Sequence, residues 1–291
     1  MKTTIHTPKS IYKDYDTYLQ EKETLFKNLT KQSIQKELLS NDIDIQEEDV
    51  CKQYQKTYQI DDVVQYYDEK YDQQLDALGN KNEVFDDDAF IYLIKKIIEE
   101  HYDIHQVPDK TYLVSDIQTI LSSQMSYLQL LQETKSILER LIHLKDYEKN
   151  NHLGVIFNPY MIDIDGFITR VFQDIKSIQL DQDFIVSLLD LMIQLNQAYQ
   201  FSFRYSEIVS DLYDCLVKSQ SLELSNKYLG ELKKQFPQKT FNFYYVLLSQ
   251  LEKENHPALK QYYQEALQYK PYNDEQADLM QLIKEIYENI L

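Results

Sequence analysis

His101 and His105 stand four residues apart at the expected end of a helix, with Glu99, Glu100 and Asp103 beside them. That spacing places two imidazoles on one helix face, an arrangement able to hold a divalent metal. The helical zinc motif requires Glu directly after the first His, whereas Tyr102 follows here and Pro108 breaks the helix soon after. No metal is therefore expected. Asp86, Asp87 and Asp88 gather three carboxylates, as a metal–diphosphate site would, but no second acidic motif accompanies them. Negative charge at a helix N-terminus accounts for the run. Cys51 and Cys215 are the only cysteines, too few for a disulfide framework or a thiolate zinc site.

The segment Met161-Ile162-Asp163-Ile164-Asp165-Gly166-Phe167 is an apolar run ending in Asp-x-Asp-Gly. It resembles the nucleophile motif of haloacid-dehalogenase-type phosphatases. That resemblance would make Asp163 the nucleophile on phosphorus and Asp165 the group that handles the leaving-group proton. The family's motif continues with Thr and ends a β-strand, whereas Phe167 stands here and helical patterns flank the motif. Asp163 and Asp165 read instead as a loop with an Asp N-cap before a helix at 167. With four glycines in 291 residues, the chain has no Gly-rich phosphate loop and no Gly-x-Ser-x-Gly elbow. No catalytic residue or cofactor is expected, and the chain reads as a non-enzyme.

The elements around these residues are helical. Scarce Gly and Pro favour long helices joined by short polar turns. There is no Trp, but there are 25 Tyr, a residue that buries its ring while its hydroxyl finds a polar partner. The formal charge is −18, and residues 41–100 hold 17 acids against six lysines. Such a surface repels nucleic acid and anionic membranes and speeds encounter with a basic partner. The N-terminal residues lack a signal-peptide core and no apolar stretch reaches membrane-spanning length, so a cytoplasmic location is expected.

Helices are expected over 8–28, 33–39, 49–59, 62–78, 88–103 and 110–147, the last with a break near Ser122-Ser123. Lys149–Asp165 is the least helical stretch, with Gly154 and Pro159, and Gly166 follows it. It divides an acidic N-terminal helical region (1–150) from a C-terminal one (167–291) through a hinge at 151–166. Helices resume at 167–178, 182–199, 206–219, 222–235, 241–254, 257–269 and 274–290.

Pro237 and Pro271 stand 34 residues apart, each closing a helix–turn–helix pattern. In that register Ala266 and Tyr263 fall on expected small and aromatic positions of a second helix. Phe243, Val246 and Leu247 fill apolar positions of the first, while Gln250 departs from the pattern. One period upstream, Ser206, Val209, Leu212, Tyr213 and Leu216 are followed by Ser225, Leu229 and Leu232. Residues 206–271 resemble two degenerate tetratricopeptide repeats, with 274–290 as a capping helix. The resemblance implies an all-α fold of stacked antiparallel helical hairpins, a tetratricopeptide-like superhelix beside an N-terminal helical bundle. It also implies a concave surface at Asp214, Val217, Lys218, Phe241, Tyr244, Leu248 and Glu252. With Asp86, Asp87 and Asp88 as acidic contacts, the expected role is binding a protein or peptide, basic in character, with no nucleic acid and no membrane. Two further roles fit the same features. One is an immunity or inhibitor protein that neutralises a basic toxin such as a nuclease. The other is a peptide-responsive regulator, although residues 1–80 hold no basic recognition helix.

Overall fold

The computed structural model describes residues 26, 29–79, 88–199, 203–219 and 221–288. Asp86, Asp87 and nearly all of the expected helix over 8–28 lie outside them. The described residues are all-α, with no strand among them. The chain forms two compact units, Met1–Tyr112 and Leu113–Leu291.

The first unit contains α1 (Lys31–Ser40), α2 (Glu47–Thr57), α3 (Ile60–Gly79), α4 (Asp88–His101) and the start of α5 (Lys110–Ser122). Thr30 caps α1 by accepting the Ser33 amide at 3.1 Å. Glu47, Glu48 and Asp49 open α2, where their charge complements the helix dipole. Tyr58, in the left-handed region at φ 51°, ends it. α4 is the hub and packs on α1, α2 and α3. Its Leu93, Ile94, Ile97 and Ile98 recur at helical spacing and meet Val50, Tyr54 and Tyr67 in one core.

The second unit continues α5 and adds α6 (Tyr127–Leu144), α7 (Leu153–Phe157), α8 (Ile164–Phe172), α9 (Gln182–Ala198) and α10 (Phe203–Lys218). These are followed by α11 (Leu222–Gln235), α12 (Thr240–Lys253), α13 (Leu259–Ala266) and α14 (Asp274–Tyr287). Ser126 and Gln129 form a reciprocal capping box at the start of α6, which fixes the break after Ser122. The boundary between units falls within α5, not at 151–166. Leu153, Ile156, Phe157 and Ile164 are buried in the core of the second unit, so that glycine-bearing stretch is tied down.

From α9 to α13 each helix packs on the next, and α12 also packs on both α10 and α14. Tyr213 of α10 meets Phe243 of α12 edge-on at 5.4 Å. Tyrosines fill much of this core and keep their hydroxyls bonded. Tyr199 donates to the Leu141 carbonyl at 2.7 Å, Tyr213 to the Ser225 carbonyl at 3.1 Å, and Tyr228 to Asp190 at 2.6 Å. Each ring gains on the order of 2 kcal/mol from burial without stranding a polar group.

α14 closes the stack differently from the helix it follows. On α12, Thr240, Tyr244, Leu247 and Leu251 are buried. Thirty-four residues on, Asp274, Asp278, Gln281 and Glu285 of α14 are exposed. The face that α12 turns inward is polar and solvated on α14, which packs instead through Gln276, Ile283 and Tyr287.

Candidate functional site

The residues with catalytic potential resolve into structural roles. Asp163 is the N-cap of α8: its Oδ1 accepts the Gly166 amide at 2.8 Å. A Cβ on Gly166 would lie 2.2 Å from the Asp163 carboxylate, so the missing side chain lets the cap approach. Asp165 accepts the hydroxyl of buried Tyr205, which burial and then Asp165 push above the ordinary phenol range. Both carboxylates are thus engaged in building the start of α8.

His101 Nε2 lies 3.2 Å from Glu47, which also pairs with Lys31 at 2.9 Å; Glu100 contacts Lys31 from α4. This knot joins α1, α2 and α4 at the surface. His105 is exposed beyond the end of α4. Asp88 is the first residue of α4. Among the described residues, no three His, Cys, Asp or Glu are arranged to hold a metal ion. Burial pushes the Cys51 thiol up and the Cys215 thiol up to about 11, the opposite of an activated nucleophile.

The surface expected on the C-terminal helices divides in two. Val217, Phe241, Tyr244 and Leu248 are buried and face the core. Asp214 and Lys218 pair with each other along α10 at 2.7 Å, and Glu252 is half-buried. The aromatic and aliphatic positions are thus core residues, and the charged ones are exposed or half-buried. Tyr244 instead anchors a buried polar cluster. Its hydroxyl donates to Glu265 at 2.6 Å, while Lys233 contacts Tyr244 at 2.8 Å and Glu265 at 2.7 Å. The Lys233 ammonium also lies 4.7 Å from the centre of the Tyr269 ring. Burial pushes the Glu265 carboxyl up, but Lys233 and Tyr244 outweigh it and hold the carboxyl below its usual range.

Two further arrangements carry the 34-residue register. Lys239, 1% exposed, bridges Glu207 of α10 at 2.5 Å and Glu275 of α14 at 3.2 Å. Those two glutamates stand two periods apart in the chain. Buried Gln276 accepts the Phe241 amide at 2.8 Å and donates to Asn242, one period earlier, at 2.6 Å. Both arrangements bond the N-terminal ends of helices from successive periods. Neither was legible in the sequence, because Lys and Gln normally lie outside.

α3 carries a row of exposed acids. Asp61, Asp62, Glu69, Asp72 and Asp76 are exposed there, at spacings that follow the helix turn, together with Gln65 and Tyr66. Lys70 lies over the stacked Tyr67 and Tyr71 rings, 5.5 and 4.8 Å from their centres. α3 bends at Tyr71, whose hydroxyl donates to the Asp44 carbonyl at 2.7 Å. Among the described residues no helix is long and apolar enough to cross a membrane. Comparison with known proteins leaves this geometry to stand by itself: no family model, curated protein or solved structure matches the chain.

Proposed function

We propose that this protein is a non-enzymatic interaction module that binds a basic polypeptide. In this reading α10–α14 form a degenerate tetratricopeptide-like stack and the acidic helices of the first unit steer the partner. The observation that carries the stack is the register-matched bonding of Glu207, Lys239 and Glu275 and of Asn242 and Gln276. Stacks of this kind bury their apolar faces against neighbours and leave charged faces for recognition. The observation that carries the partner's character is the exposed carboxylate row on α3. The same row favours a second reading, an inhibitor that covers the active cleft of a basic toxin.

The test is a binding series with synthetic Lys/Arg-rich peptides and folded basic proteins, read by association rate across a salt titration. Replacing Asp61, Asp62, Glu69 and Asp72 by Lys is expected to slow association at least tenfold at low salt and to flatten its salt dependence. Equal rates for wild type and variant would remove the electrostatic basis of the proposal. A toxin as the tight binder, inactivated at one-to-one stoichiometry, would select the inhibitor reading.

A further inference from the structure

Asp165-Gly166 is the one step in the chain where glycine follows Asp or Asn; the other three glycines follow Leu. Aspartate cyclises most readily before glycine, since no Cβ crowds the attacking amide. In that reaction the Gly166 nitrogen bonds to Asp165 Cγ, the Cγ–OH bond breaks, and the amide proton leaves with the hydroxyl as water. A second water then opens the ring. Opening at the backbone carbonyl leaves isoaspartate, with one extra methylene in the main chain. In this chain the glycine serves the cap, because a Cβ at 166 would lie 2.2 Å from the Asp163 carboxylate. The residue that lets Asp163 close on α8 is therefore also the one that leaves Asp165 open to attack.

Each group that must move is held. The Gly166 amide donates to Asp163 Oδ1 at 2.8 Å, and the Phe167 amide donates to the Asp163 carbonyl at 2.9 Å. The Asp165 Oδ1 accepts the Tyr205 hydroxyl from α10, and a Cβ on Gly154 would stand 3.8 Å from Oδ2. The Asp165 carbonyl, which would join the ring, accepts Thr169 Oγ1 at 2.8 Å. Asp165 and Gly166 are half-buried, and Tyr205 is buried. Closing the ring requires Asp165 to leave the helical ψ of about −42°, which breaks the first turn of α8. We propose that Asp165 is a latent isoaspartate site, kept unmodified by Asp163 and Tyr205, and that it converts only when the start of α8 opens. Because Tyr205 belongs to α10, the protection depends on α8 staying packed on α10. Loosening of the second unit is then recorded as a covalent change at one residue. The added methylene lies inside the first turn and separates Asp163 from the amide it caps. This modification is independent of the binding role proposed above.

Peptide mapping by mass spectrometry tests it on the full-length protein, aged at neutral pH beside a synthetic peptide of residues 161–170. Isoaspartate at 165 is resolved by its retention and fragmentation, and the ring intermediate by the loss of one water. The folded wild type is expected to convert at least about a hundredfold more slowly than the peptide, since it reacts only through local opening. Equal rates would overturn the proposal. Asp163→Ala is expected to speed conversion about fivefold, the share of one helix cap in the opening equilibrium, while Asp163→Asn retains a capping oxygen and stays near the wild-type rate. Tyr205→Phe is expected to speed conversion as well. Wild-type rates in both Asp163→Ala and Tyr205→Phe would overturn the role given to these side chains. If Tyr205→Phe does not fold, the Asp163 pair decides, because Asp163 is exposed and its replacement leaves the core intact.

Discussion

Lys239 and its two glutamates make a quantitative test of how the C-terminal stack is joined, because the three partners are buried so unequally. The lysine side chain is 1% exposed, whereas Glu207 and Glu275 are 51% and 53% exposed. Removing the lysine therefore leaves two solvated carboxylates, while removing the glutamates leaves a buried ammonium. Lys239→Met retains most of the apolar stem and should cost only about 0–2 kcal/mol. The double change Glu207→Ala with Glu275→Ala should cost about 3–5 kcal/mol. An upper bound follows from proton release. From the ordinary value of 10.5 down to pH 7, at 1.36 kcal/mol per unit, deprotonating the lysine costs about 5 kcal/mol, and the loss cannot exceed that. The pH slopes between pH 7 and pH 10 should also differ, flat for this pair in the wild type and rising in the double variant. In the wild type, burial pushes Lys239 down, but Glu207 and Glu275 outweigh it and hold it above the ordinary range. That contribution is complete at pH 7 and is lost as pH rises past the folded value. In the double variant only burial remains, the folded value falls below the unfolded one, and stability rises from pH 7 toward pH 10. Urea denaturation followed by circular dichroism at pH 7, 8.5 and 10 measures both effects. A Lys239→Met loss larger than that of the double variant, or parallel slopes, would refute the reasoning.

Two other changes test neighbouring features. Gln276→Ala should destabilise the second unit by about 1–3 kcal/mol, since it strands the buried Phe241 amide, and Asn242→Ala should cost less because Asn242 is only half-buried; equal losses in calorimetry would show that the bond to Phe241 carries no weight. Asp163→Ala should cost about 1 kcal/mol through the lost cap on α8 and leave phosphomonoester hydrolysis at the wild-type level, so a drop in turnover would restore the nucleophile reading.

The sequence revealed helix boundaries far better than helix rotation. Sparse Gly and Pro, the acids opening α2 and α14, and the two prolines 34 residues apart all act locally, so α11, α12 and α14 fall close to where patterning puts them. Period alone does not say which face of a helix turns inward. Phe241, Tyr244 and Leu248 were assigned to a concave surface from register, yet α12 has helices on several sides and buries all three. The stretch 151–166, expected as a hinge, shows a related limit. Gly154 and Pro159 signal a break in helix, but Leu153, Ile156 and Phe157 between and before them supply enough apolar area to fasten the stretch to the core. Buried Lys239, Gln276 and Asp109 were invisible because each is stabilised by a partner at least 32 residues away, and single-sequence patterning sees only local neighbours.

The contrast between α12 and α14 bears on where a partner can bind. A further helix docked on α14 as α13 docks on α12 would cover Asp274, Asp278, Gln281 and Glu285. Desolvating three carboxylates without basic partners costs several kcal/mol, more than the neighbouring Leu282 could return by burial. That face accordingly disfavours an apolar helix and a second copy of a chain whose formal charge is −18. It suits a ligand that brings its own Lys or Arg, the same requirement set by the carboxylate row on α3. For the basic partner proposed above, charge reversal on either face is expected to slow association and to flatten its salt dependence, each face measured by itself.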